Sequence, residues 1–273
     1  MPKPGHIELP GAGPIPILYE DRAVLVIDKP RGWMLVPFSW QKTKRNLQAA
    51  LTSSIAAGEF WARSRGLKFL RFVHRLDAET TGILLFVKSR SGLQAYSDLF
   101  ESRRMEKTYL AVVHGQPPPG EWICRLKLAP DPQHVERMRV DARSGKEAET
   151  SFRVLATNER RAAVPAASLA PQGSRKNRER HKPAEHAAAG TAALLSLVEA
   201  HPVTGRKHQI RVHLAESGYP VVGDELYGRE DDQAELGLRA VRLAYVDPFT
   251  RRRVEINAPT GEFCHQYGFD WKP

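Results

Sequence analysis

Apolar and polar positions alternate in short runs over most of the chain, and helical spacing interrupts them in only a few places. Residues 15–28, IPILYEDRAVLVID, form two β-rich runs split by the polar Glu20-Asp21-Arg22, the pattern of a hairpin. A turn, KPRG, follows. From Asn46 to Ala57, Leu47, Leu51 and Ile55 recur every fourth residue, which predicts a short helix with one apolar face. FLRFV (69–73) and ILLFVK (83–88) read as strands, the second buried on both faces, and the aperiodic HRLDAETTG between them (74–82) reads as a loop. Leu93, Tyr96, Leu99 and Phe100 mark another helical face, and TYLAVVHG (108–115) is a strand stopped by Gln-Pro-Pro-Pro-Gly. Further strands are expected at 121–128, 134–140, 147–155 and 194–200.

Residues 201–224 read as a strand end, a turn and a helix, with Ile210 and Leu214 as its buried stripe and Gly218 as its stop. Thr204 is the expected N-cap, and Lys207, His208 and Arg211 then share one cationic helix face. Val241 to Ala258 alternates as two strands around Asp247-Pro248. Strands outnumber helices and follow one another directly. The expected fold is therefore α+β: one domain over 15–273, with a large mixed or antiparallel sheet flanked by helices, behind an N-terminal tail at 1–14.

Between Thr157 and Ala192 the composition turns to Ala, Arg, Lys, Pro and Gly, with almost no aromatic or β-branched residues. Such a stretch builds no core, so 157–192 is expected to be a flexible insertion between two strands. Residues 158–192 hold seven Lys and Arg against three acidic residues, a net +4 out of +10 for the 273-residue chain. The basic balance favours a polyanionic partner, nucleic acid before membrane. The longest apolar runs are strand-sized, and Cys124 and Cys264 stand far apart without metal-site spacing, which fits a cytoplasmic protein.

No Gly-rich phosphate loop, nucleophile-elbow motif, zinc-protease motif or dinucleotide fingerprint occurs, which lowers the weight of cofactor-dependent classes. His201, His208 and His213 lie seven and five apart, which does not suit one helical metal face, so no metal site is assigned. Two clusters carry chemistry. His74-Arg75-Leu76-Asp77 places a carboxylate between two apolar strands, an arrangement that alone reads as a local Arg–Asp pair tidying a loop. Gly205-Arg206-Lys207-His208-Gln209-Ile210-Arg211 adds a donor-rich helix start. Together they describe an anion-binding cleft with one carboxylate inside.

The chain resembles the RluA group of RNA pseudouridine synthases through HRLDAETTGILLFVKS (74–89), KTYLAVVHG (107–115), HPVTGRKHQIRVHL (201–214) and GYPVVGDELYG (218–228), with a weaker match in LYEDRAVLVIDKPRG (18–32). The blocks keep the family's order and cover the chain outside the first residues and the 157–192 stretch. The resemblance implies the pseudouridine synthase fold, with Asp77 as the catalytic aspartate, Tyr109 against the target base, Arg211 paired with Asp77, and Arg75 helping to displace the base. His74, Arg206, Lys207, His208 and Gln209 are assigned with Arg75 to RNA binding and base flipping. An arginine partner favours the ionised form of a carboxylate, and only the ionised form attacks.

The reaction so implied isomerises a uridine in structured RNA, a tRNA or rRNA stem-loop, without cofactor. The bond from ribose to N1 breaks, the uracil turns, and C5 bonds to the ribose. Asp77 either adds to the ribose carbon or acts through elimination on the 2′ side, and a proton then leaves C5. The uridine must first leave its stack, at a cost of a few kcal/mol. The resemblance implies a monomer, and because the first strand begins near residue 15 the catalytic domain is expected to recognise RNA alone. Thr81 stands where the family more often has Ser, and MLVPFSW (34–40) lacks a His-Pro pair common in relatives. The competing readings are a noncatalytic RNA-binding or chaperone protein on the same fold, and a glycoside hydrolase with Asp224 or Glu225 as its second carboxylate.

Overall fold

The computed structural model describes residues 2–35, 45–160, 193–230 and 232–271. The chain opens with β1 (His6–Ile7), the hairpin β2 (Ile15–Glu20) and β3 (Val24–Lys29), and helices α1 (Leu47–Ala56) and α2 (Phe60–Arg63). Next come β4 (Arg71–Phe72), β5 (Thr81–Val87), α3 (Arg90–Glu101) and β6 (Glu106–His114). β7 (Glu121–Cys124), a small ribbon of β8 (Leu128–Pro130) and β9 (Met138–Val140), and the antiparallel pair β10 (Thr150–Arg160) and β11 (Ala193–Pro202) follow. The last elements are α4 (Gln209–Glu216), β12 (Leu238–Val246), β13 (Arg253–Asn257) and α5 (Gly261–Gln266). Among them no helix is long and apolar enough to cross a membrane.

The expected α+β architecture is present as one mixed sheet of eleven strands, ordered β1-β2-β3-β5-β12-β6-β11-β10-β7, with β4 also on β5 and β13 also on β12. The sheet has two halves. In the first, β3 and β5 bury nearly every side chain, because α1, α2 and α3 are packed with them into one core that includes Leu47, Leu51, Trp61, Tyr96 and Leu99. In the second, β6 alternates strictly: Ala111 and Val113 meet Ile210 and Leu214 of α4, whereas Leu110 and Val112 meet Phe263, Cys264 and Tyr267 beside α5. Each fully buried leucine of this kind contributes about 1.5–3 kcal/mol.

A parallel ladder of two residue pairs, Thr81 with Arg239 and Ala240 with Gly82, joins the halves. Beyond it β13 takes over the same edge of β12. Gly82 holds φ at +104°, and a Cβ there would lie 2.1 Å from the Ala240 carbonyl oxygen, so no other residue fits without moving a backbone. An ion pair from Arg239 to Asp28 of β3, at 2.6 Å, spans the same seam.

Several local expectations change. Residues 1–14 are not a free tail, since β1 pairs with β2 and Ile7 and Leu9 are buried. Residues 157–160, expected inside the insertion, continue β10, paired with Ser196 to Ala193 of β11. Residues 161–192 of that insertion, and 36–40 of the atypical MLVPFSW stretch, lie outside the described residues. Helix α4 begins at Gln209, later than expected, and Thr204 does not cap it. The Thr204 hydroxyl instead donates to Gln209 Oε1, at 2.6 Å, and the same oxygen accepts the Arg206 N–H. Lys207 therefore precedes the helix and shares no helical face with Arg211.

Gln209 and His74, both expected to touch RNA, are taken up by the fold. The Gln209 amide donates to the Glu149 carbonyl and Thr150 Oγ1, so its buried polar atoms stitch α4 to β10. His74 Nε2 accepts the Leu85 N–H at 3.0 Å, and its ring stacks on Phe100 at 4.6 Å between centroids. An acceptor nitrogen must be unprotonated, and burial, followed by the Lys107 charge, pushes the His74 pKa down to about 3.

Two outcomes follow from this packing. Gly82→Ala is expected to destabilise the protein by about 2 kcal/mol or more in urea unfolding, because it adds both backbone strain and a clash at the seam. In the unfolded chain His74 titrates near pH 6.5, so between there and its folded value the unfolded state binds the extra proton. Stability from this group is whole above about pH 6.5 and declines as the pH falls toward 3. His74→Gln, which keeps an acceptor for Leu85, should make the loss of stability between pH 7 and 5 shallower than in the wild type.

Candidate active site

The loop between β4 and β5 leaves the sheet beside the seam. Along it side chains alternate in destination: His74 packs inward, Arg75 is exposed, Leu76 is buried, and Asp77 is half-buried at a cavity wall. Lys29 braces the loop from below. Its Nζ, wholly buried, donates to the carbonyls of Pro30, Ala78 and Thr80, at 3.0, 2.7 and 2.9 Å, while the Gly32 N–H also reaches Ala78. Burial pulls the Lys29 pKa down to about 7 against the opposing pull of Glu79 and Asp77. Sequence reading assigned Lys29 only to a turn; the signal available was a lysine at the end of an otherwise apolar strand.

A cavity of about 410 Å³ opens between the two expected clusters. Its walls bring together His74, Arg75, Asp77, Lys107, Tyr109, Arg206, Lys207, His208, Gln209 and Arg211. A second cavity of about 660 Å³ shares Arg75, Asp77, Lys207, His208 and Arg211, so the Arg75–Asp77 segment forms the partition between them. Both volumes suit a nucleotide-sized ligand. Arg75, exposed on that partition, is free to enter either side.

Arg211 is the electrostatic hub. Its Nε and Nη2 donate in bidentate fashion to Asp224, at 2.7 and 2.6 Å, and its Nη1 donates to Asp77 Oδ2 at 3.2 Å. Burial works against the charge on Arg211, but the two carboxylates outweigh it and raise its pKa. Asp224 is buried and also accepts the N–H groups of Leu226 and Tyr227. A carboxylate so enclosed is no second acid or base beside Asp77, which removes the geometry that a two-carboxylate hydrolase requires.

Tyr109 stands half-buried on β6 between Ala200 of β11 and Ala240 of β12. Two alanines beside it leave a slot along its ring, with Leu238 on the cavity wall. Burial first, then the Asp77 charge, pushes its hydroxyl pKa up, so it remains a phenol at neutral pH. Lys107 lies across the cavity with Nζ 3.3 Å from the Thr204 carbonyl, and burial lowers its pKa to about 8. Arg206 Nε donates to the Glu147 carbonyl, which holds its stem at the cavity rim. Lys207 has its pKa lowered, by burial and then by the Arg75 charge.

His208 occupies the turn into α4 with a left-handed backbone, φ +55°. Its Nε2 lies 3.7 Å from Asp77 Oδ1, and its Nδ1 lies 2.9 Å from the Tyr227 hydroxyl. Desolvation, outweighing the Asp77 field, brings its pKa down to about 4, so the ring is neutral near pH 7. Tyr227 also escaped the sequence reading, which took GDELYG as structural.

Residues 23–216 match the family model described as RNA pseudouridylate synthase. The chain is 32% identical over 259 residues to a ribosomal large subunit pseudouridine synthase C of Salmonella typhimurium, covering 89% of this chain and 66% of that protein. It is 33% identical over 257 residues to the protein of that name from Yersinia pestis, covering 89% and 65%. It thus spans about two thirds of the length of these relatives. The solved human RNA pseudouridylate synthase domain containing 1 shares the fold, with a TM-score of 0.65 at 22% identity over 90% of this chain and 84% of that one. The chain belongs to the RNA pseudouridylate synthase family.

Proposed function

We propose that this protein isomerises uridine to pseudouridine in RNA, with Asp77 as the carboxylate that acts on the ribose. The observation that carries this reading is the single half-exposed carboxylate held by Arg211 at the mouth of a nucleotide-sized cavity, opposite a protonated tyrosine. The family membership of the chain supports it.

In this reading the target uridine leaves its stack and enters the 410 Å³ cavity, with Arg75 at the partition filling the place it vacates. The uracil lies on the Tyr109 ring, and the ribose meets Asp77. Arg211 fixes Oδ2, which leaves Oδ1 toward the sugar. Tyr109 keeps its proton, so it serves as a platform for the base while the uracil turns. Lys107, Arg206 and Lys207 at the rim meet phosphates, a contribution to affinity that weakens with salt and carries no sequence information. A noncatalytic RNA binder has no use for a carboxylate braced by a buried arginine, since Asp77 repels phosphate.

Ribosomal large-subunit RNA is the substrate class we assign, because the relatives of highest similarity reported above carry that description in their names. Both cysteines are buried free thiols, the state that a reducing cytoplasm maintains.

Carbodiimide-based mapping of pseudouridine in total RNA should show one or more sites, in large-subunit rRNA, that disappear in a strain lacking the gene and in one carrying Asp77→Ala. No changed site in the deletion strain would overturn the activity. Loss in the deletion but retention with Asp77→Ala would keep the activity and remove Asp77 from its role.

A further inference from the structure

The left-handed backbone at His208 is a conformation that a histidine seldom adopts, and here it holds the ring between Asp77 and Tyr227. The Tyr227 hydroxyl accepts the Met138 N–H at 2.7 Å. A backbone N–H donates only, so the phenolic proton must go to another acceptor, and His208 Nδ1 lies 2.9 Å away. Burial raises the Tyr227 pKa, so that proton stays on the hydroxyl. Once Nδ1 is an acceptor, a neutral His208 carries its proton on Nε2, the nitrogen 3.7 Å from Asp77 Oδ1.

The Tyr227 ring is itself fixed. Arg211 lies over it with Cζ 5.3 Å from the centroid, Arg137 stands at the same distance, and Asp224 accepts the Tyr227 N–H while gripping Arg211. The chain of contacts therefore runs from the β8–β9 ribbon at Met138, through Tyr227 and His208, to the carboxylate.

We propose that Tyr227 sets His208 in the Nε2–H tautomer, and that His208 is a positioning residue that orients Asp77 Oδ1 without protonating it. This rests on the reading of Asp77 as the acting carboxylate. A histidinium beside Oδ1 would neutralise the carboxylate in an ion pair; a neutral N–H orients the oxygen and leaves its charge uncompensated. At 3.7 Å the contact is longer than a hydrogen bond, and it closes when a bound ribose draws Asp77 into the cavity.

The test joins a spectroscopic readout to kinetics. Long-range proton–nitrogen NMR spectra of the whole chain, with His208 signals assigned by their loss in His208→Gln, should show the Nε2–H tautomer in the wild type. In Tyr227→Phe the Nδ1–H form should appear. Single-turnover release of tritium from a large-subunit rRNA transcript labelled at uridine C5 should slow about 10-fold in Tyr227→Phe and about 100-fold in His208→Ala, with the half-saturating RNA concentration unchanged. His208→Gln, which restores an amide N–H donor, should recover most of that loss. The double variant Tyr227→Phe with His208→Ala should be no slower than His208→Ala alone, because both act through one group. An Nδ1–H tautomer in the wild type would overturn the proposal. So would a His208→Ala defect confined to RNA affinity, which would make His208 an RNA contact. If the wild type releases no tritium from this RNA, the substrate reading fails, and the tautomer measurements on wild type and Tyr227→Phe still decide the relay.

Discussion

Gly82 brings the backbone of β5 so near to Ala240 of β12 that no Cβ fits between them, and this approach joins the two halves of the sheet. The loop bearing Asp77 leaves the sheet one step before Gly82, while Tyr109 lies on β6, paired with Ala240 itself. The site is thus assembled across the join: the carboxylate comes from the first half, the arginine and the tyrosine from the second. A wider seam would separate Asp77 from Arg211 before it unfolded either half. The Asp28–Arg239 pair and the three carbonyl bonds of Lys29 serve the same alignment, one between strands and one under the loop.

The charges are ordered by burial. Asp224 is fully enclosed and committed to Arg211; Asp77 is half-open and takes only one bond from it. An arginine held by a buried carboxylate is already oriented, so little reorganisation remains when a substrate arrives. The same arrangement spares Asp77 from being locked into a bidentate pair, which would occupy both oxygens. Two neutral groups also face the carboxylate: a phenol at Tyr109 and an imidazole at His208.

Periodicity made most of the fold legible in the sequence, since both faces of β3, β5 and β6 are dictated by burial and the α1, α3 and α4 stripes repeat at helical spacing. What periodicity left unread is where side chains bond to nearby backbone. Gln209 looked like a polar donor at a helix start, but its amide satisfies Thr204, Arg206 and β10, which no periodic pattern encodes. His74 was assigned to RNA binding with Arg75, and the strand behind it also needs its acceptor nitrogen for the Leu85 N–H. β1 is two residues long, too short to alternate, and β10 keeps its strand character beyond the compositional boundary at Thr157. At the site, Asp77, Arg211 and Tyr109 were legible through the family's motifs. Lys29 and Tyr227 were not assigned roles, and Asp224 was weighed only as the second carboxylate of a hydrolase, because each acts on a segment outside its own sequence block.

These missed residues explain how a cleft designed to draw in RNA avoids destroying its own reactive group. A basic cavity attracts phosphate, and phosphate would compete with Asp77 for Arg211. Asp224 forestalls this by holding two of the guanidinium's three nitrogens, and the cations left toward the rim, Arg206 and Lys207, stand before α4 rather than on it. Backbone electrostatics and side-chain electrostatics are thereby separated in space: affinity at the rim, a braced carboxylate at the partition, and an uncharged slot for the base over Tyr109. The base carries charge only in transit: when the N1–ribose bond breaks its electron pair stays on the uracil, and the base is neutral again once C5 has bonded to the ribose and lost its proton.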